Sequence, residues 1–125
     1  MDLAFSPDGA LLAAISGQKA SVNLVDAHSG KLRTVLSGPV QAMFGLAYSP
    51  DGRTLATGLN TKGVILWNPD TSQQIMNLSC DGGFESLCFS PDARTLAVGL
   101  VKGKKREIRL YHAPSLSEIE SRERN

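Results

Sequence analysis

The pentapeptide FSPDG at residues 5–9 returns as YSPDG at 48–52 and as FSPDA at 89–93. The intervals are 43 residues (Phe5 to Tyr48) and 41 (Tyr48 to Phe89). Active-site chemistry does not demand such regular spacing, whereas one supersecondary unit copied in tandem produces it. The phrase is itself a turn. Ser stands first, Pro presets φ near about −65° at the second position, Asp is tolerated third, and Gly follows.

Each phrase joins two short runs that read as strands. Before it stand DLAF, FGLAY and ESLCF; after it stand LLAAIS, RTLATGL and RTLAVGL. A turn-rich gap leads to a third run, SVNLVD, GVILWN or EIRLYH, and the first two copies add a fourth, KLRTVLS and QQIMNLS. No sustained 3.6-residue apolar stripe appears before residue 114, and several runs are apolar or small on both faces, as in strands covered on both sides. Four-stranded antiparallel sheets that need cover on both faces stack around an axis. The predicted fold is all-β: a partial β-propeller of about three four-stranded blades at about 1–38, 39–80 and 81–114.

The stretch from Leu46 to Leu78 resembles a WD-repeat (WD40) unit: an inner strand, SPDG, a small-residue second strand, and a third strand ending in Trp-Asp or a substitute. Trp67-Asn68 stands at the Trp-Asp position, with Val25-Asp26 and Tyr111-His112 in the other copies. The resemblance implies that Trp67 packs in the core. It also implies a hydrogen-bonded tetrad built from a Gly-His pair, an Asp, the Trp and a Ser/Thr, and here the sequence departs. Gly38-Pro39 and Gly82-Gly83 stand near the Gly-His position and Thr61 at the Asp position, so blade stability is expected to rest on packing. The first copy is also similar to the YVTN-type propeller repeat. The last residues resemble the closing segment of WD-repeat regions in bacterial proteins. Ser115 and Glu118 have capping-box spacing, and Leu116 and Ile119 share a face. A short helix or tail over 115–125 is predicted, with an outer strand as the competing arrangement.

Three blades raise a problem of cover. Propellers close with about 4–8 blades. If each uncovered terminal face exposes roughly 500 Å² of apolar surface, covering one is worth up to about 12 kcal/mol, which rivals the stability of a whole domain. Two arrangements provide cover: further blades in a longer chain, of which these are the last, or head-to-tail association of copies into a closed ring.

Chemistry-bearing residues are sparse. Asp8, Asp51 and Asp92 belong to the turn phrase, and His28 and His112 are lone histidines. No G-x-S-x-G elbow or phosphate-binding G-x-x-x-x-G-K-[ST] loop is present. Cys80 and Cys88 lie eight apart, unlike a C-x-x-C pair, and read as reduced thiols of a cytoplasmic protein. No signal-peptide core precedes the first turn, and the longest apolar run, Ala10 to Ile15, is far short of the roughly 20 residues that span a bilayer.

The feature the repeat does not explain is KGKKRE, Lys102 to Glu107. Its residues fall between the second and third strands, where Asp92 to His112 takes 20 residues against 17 from Asp51 to Asn68. Net charge is +1, yet residues 102–125 carry 7 Lys/Arg against 4 Asp/Glu. In the family resembled, that turn lies on the face where partners usually dock. Lys102, Lys104, Lys105 and Arg106 are therefore the candidate contact for phosphate or an acidic partner protein. Without aromatic interleaving, nucleic acid is not the expected partner. The function expected is a non-enzymatic protein-interaction scaffold with no cofactor or metal. The alternatives are a lactonase-type propeller with a channel-facing site, for which only Asp2 and Glu85 offer inner-strand acids, or an inactive fragment of a longer WD-repeat protein.

Overall fold

The structure, a computed structural model, describes residues 2–15, 21–38, 43–59, 63–80 and 82–112. Three antiparallel sheets follow one another along the chain. The first holds β1 (Asp2–Phe5), β2 (Leu11–Ile15), β3 (Ser21–Asp26) and β4 (Leu32–Ser37), paired in that order. The second holds β5 (Met43–Tyr48), β6 (Leu55–Leu59), β7 (Gly63–Asn68) and β8 (Gln73–Leu78). The third holds β9 (Gly83–Phe89), β10 (Thr95–Lys102) and β11 (Lys105–His112), three strands among the described residues. The predicted C-terminal helix or outer strand, Pro39 and Thr61 lie outside the described residues.

The repeated phrase builds the same turn three times. The Ser49 hydroxyl donates to Asp51 Oδ1 at 2.5 Å and accepts the Thr54 N–H at 3.0 Å, while Asp51 Oδ1 also accepts the Arg53 N–H at 3.0 Å. Ser6–Asp8 and Ser90–Asp92 repeat these bonds. Serine and aspartate thus satisfy the amides that the reversal takes out of the ladder. Gly9 and Gly52 adopt φ of 73° and 74°; the third copy has Ala93 at 63°, a left-handed conformation that a Cβ disfavours.

Inner strands β1, β5 and β9 lie side by side, with β5 touching the first sheet on one face and the third on the other. Between the first two sheets lie Ile15, Val22, Leu24 and Leu36 against Met43, Leu55, Ile65 and Trp67. Between the second and third lie Ala56 and Val64 against Leu96, Val98 and Leu100, with Phe84, Leu87 and Phe89 partly buried. Burying one such large side chain contributes about 1.5–3 kcal/mol. The solvent-accessible ion pair Arg106–Glu85 (3.5 Å) and the half-buried pair Arg109–Glu107 (3.6 Å) contribute about 0–1 kcal/mol each. Sheet-on-sheet packing therefore decides the fold.

β6 and β7 of the second sheet are covered on both faces, and every residue of β6 is buried, whereas the outer strand β8 is exposed, Ile75 and Met76 by 52% each. The outward faces of the first and third sheets are uncovered by any described residue. Leu3, Phe5, Ile108 and Leu110 stand there 54%, 63%, 79% and 57% exposed.

Candidate partner-binding surface

The KGKKRE segment forms a lengthened hairpin. β10 and β11 are eight residues each, where β6 has five and β7 six. Pairing runs on through Leu100↔Glu107 and Val101↔Arg106 to Lys102↔Lys105, leaving Gly103 and Lys104 as a two-residue loop. Gly103 takes φ 63°, as such tight hairpins require. The sequence placed the extra residues in the turn; most of them instead extend the two strands. They do so because inward and outward residues continue to alternate: Glu107, Arg109 and Tyr111 face inward, while Arg106, Ile108 and Leu110 are exposed.

Lys102, Lys104, Lys105 and Arg106 are all exposed at this tip. Arg106 reaches back to Glu85 on β9 at 3.5 Å. The hairpin is thus an ordered projection carrying four cations within five residues, able to meet carboxylates or phosphate by charge-assisted hydrogen bonds.

The Trp-Asp positions have local roles. Trp67 is buried and donates its indole N–H to Thr57 Oγ1 at 3.0 Å. Thr57 went unnoticed in the sequence; its signal is a position on β6 two residues from Trp67's partner Leu55, on the same face of the strand. Asp26 Oδ1 accepts the His28 and Ser29 N–H groups, and Asn68 Oδ1 accepts those of Asp70 and Thr71, so each closes the turn into the fourth strand. Val25 is half-buried on the open face of the first sheet. Tyr111 packs against the second sheet, its Oη 3.0 Å from Cys80 Sγ. Burial and the Cys80 contact raise the Tyr111 pKa, opposed by the Arg109 guanidinium. His112 Nδ1 lies 3.0 Å from Thr95 Oγ1.

On the turn-phrase side, a groove of about 380 Å³ separates the first two sheets. Asp8, Asp51, Asp70, Arg33 and Arg53 line it together with Tyr48. The Tyr48 hydroxyl is buried without a hydrogen-bond partner among the described residues, and its pKa is raised by burial first and then by Asp8 and Asp70.

Asp2 and Glu85 are engaged locally, Asp2 by the Leu3 N–H and Glu85 by Arg106. Among the described residues no three His, Cys, Asp or Glu side chains group as metal ligands. Cys80 and Cys88 are free, one buried and one exposed.

The WD domain, G-beta repeat (WD40) family profile matches residues 30–68. The intraflagellar transport protein 122 homologs of Mus musculus and Danio rerio are each 36% identical over 66 residues, or 53% of this chain and 5% of theirs. Human WD repeat and SOCS box-containing protein 1 is 33% identical over 70 residues, 55% of this chain and 17% of that protein. The chain therefore matches only a small part of these relatives' length. Among solved structures, a Kuenenia stuttgartiensis hydrazine synthase chain superposes with a TM-score of 0.82 at 23% identity, covering 88% of this chain and 31% of that one; the likeness is one of fold. The tandem sheets, the turn phrase and the matched repeat agree: the chain carries a WD40 repeat at residues 30–68, is similar to WD-repeat proteins over about half its length, and folds as a partial β-propeller.

Proposed function

We propose that the chain is a non-enzymatic, cytoplasmic interaction module that presents the Lys102–Arg106 hairpin to an acidic segment of a partner protein. WD40 repeats generally mediate protein–protein contacts, and sheets packed face to face provide a rigid frame for such a projection. The observation that carries the reading is the hairpin itself. It is the part of the third copy that departs from the repeat, and it concentrates exposed cations on two extended, paired strands. A rigid tip loses less conformational freedom on binding than a loose loop. The two free thiols support the compartment.

The test is binding to an acidic peptide at low and physiological salt, wild type against Lys104→Ala/Lys105→Ala. Wild-type affinity is expected to fall with salt, because exposed charges are screened. The double variant is expected to bind about tenfold more weakly at low salt, a loss of about 1.4 kcal/mol. Equal binding by both proteins would dismiss the hairpin as the contact.

A further inference from the structure

The internal repeat assigns each sheet face a partner, and two faces are left over. Cross-strand register defines equivalent rows. On the face that the second sheet turns toward the first, Tyr48, Leu55 and Trp67 lie in one row. The third sheet turns Phe89, Leu96 and Tyr111 toward the second. The same row in the first sheet is Phe5, Leu12 and Val25, and no described residue covers it. Each row consists of an aromatic, a leucine and the residue at the Trp-Asp position, a ring in Trp67 and Tyr111 and the smaller Val25 in the first sheet.

The receiving faces are equally regular. The first sheet meets the second with the row Ala4, Ala13 and Leu24; the second meets the third with Ala47, Ala56 and Leu66. The corresponding row of the third sheet is Cys88, Ala97 and Leu110. It too is small, small and leucine, and it too is open: Cys88 and Leu110 are exposed. The two open faces are thus the two unlike halves of the contact this chain already makes twice within itself.

We propose that the chain associates head to tail with a second copy, the Phe5–Leu12–Val25 row of one copy seated on the Cys88–Ala97–Leu110 row of the other. The contact is heterologous, and the rotation that relates neighbouring sheets decides whether it closes. Two copies supply six sheets, inside the range of about 4–8 at which propellers close. Both open rows are then withdrawn from water. The inference rests on the repeat geometry and not on the basic hairpin: the hairpin variant is expected to keep the oligomeric state of the wild type, so either reading can fail alone.

The experiment is light scattering on the purified 125-residue chain over a range of concentrations, with circular dichroism to confirm folding. Wild type is expected at twice the 13.3 kDa chain mass. Phe5→Asp spoils one half of the contact and Leu110→Asp the other, so each alone is expected at a single chain mass. An equimolar mixture of the two is expected to regain a dimer through its one intact junction. Wild type holding at a single chain mass at every concentration would overturn the proposal, as would a mixture that stays monomeric while wild type pairs. Should either variant lose its β signal, the wild type serves alone. Alkylation of Cys88 is then expected to slow at least tenfold from dilute to concentrated protein, and a concentration-independent rate would count as refutation.

Discussion

The Trp67 indole N–H donates to Thr57 Oγ1 across neighbouring strands of the second sheet, at 3.0 Å and with both side chains buried. A buried donor left unpaired costs about 1–3 kcal/mol, while removing both partners costs less than the two single losses suggest. Thr57→Val keeps the shape and orphans the indole, and is expected to destabilise by about 2 kcal/mol. Trp67→Phe removes the donor and part of the ring. The double variant is expected to be about 1 kcal/mol more stable than the sum of the singles predicts. Urea denaturation of the four proteins measures this coupling; strict additivity would show that the bond contributes nothing specific.

How much of this was legible in the sequence depends on how far apart the interacting residues lie. The turn phrase is local, so Ser49, Pro50, Asp51 and Gly52 announced a turn that the hydrogen bonds now show. Strand pairing follows from it, because β5 and β6 are joined by that turn. The family's missing Asp and His drew attention away from Thr57, although the threonine and Trp67 supply a polar pair between adjacent strands. The hairpin's length was misplaced because composition marked KGKKRE as a loop, while the strand read from Glu107 to His112 in fact begins at Lys105 and pairs back to Lys102. Contacts between copies were invisible. Cys80 meets Tyr111 across 31 residues, and nothing within either segment points to the other.

The turn carboxylates make stability depend on acid. Ser6, Ser49 and Ser90 hydroxyls are the largest influences lowering the pKa values of Asp8, Asp51 and Asp92 below 3.8, with the backbone N–H groups adding to them. A carboxyl whose folded pKa lies below its unfolded value contributes stability that is complete above the unfolded value and lost as pH falls through the folded one. The urea midpoint is therefore expected to be flat from neutral pH down to about 4.5 and to drop below about pH 4. Ser49 is buried, and Ser49→Ala also strands the Thr54 N–H, so it is expected to cost about 1–2 kcal/mol at neutral pH. In that variant the Asp51 carboxyl, followed by NMR titration, is expected to move back toward 3.8. An unmoved Asp51 titration would show that the serine does not set its pKa.

The ring of Phe84 lies over Gly45 and Gly58, where a Cβ built on either glycine would run into it. The two glycines are register partners on the face the second sheet turns toward the third, so together they form a notch for the aromatic. Neither has positive φ; space, not backbone conformation, requires glycine there. Forcing a methyl into a packed contact costs typically about 1–3 kcal/mol, so Gly58→Ala is expected to destabilise by about 2 kcal/mol. Phe84→Ala empties the notch and is expected to cost about 3 kcal/mol, the low end for a large aromatic because Phe84 is only partly buried. The decisive comparison is Gly58→Ala/Phe84→Ala. With the ring gone the three atoms nearest the added methyl are removed, so the double variant is expected to be no less stable than Phe84→Ala alone. Thermal or urea denaturation of the set reads this directly. A double variant weaker than Phe84→Ala by the full Gly58→Ala penalty would mean that glycine is needed at 58 for its backbone, and that the sheets do not meet through this notch.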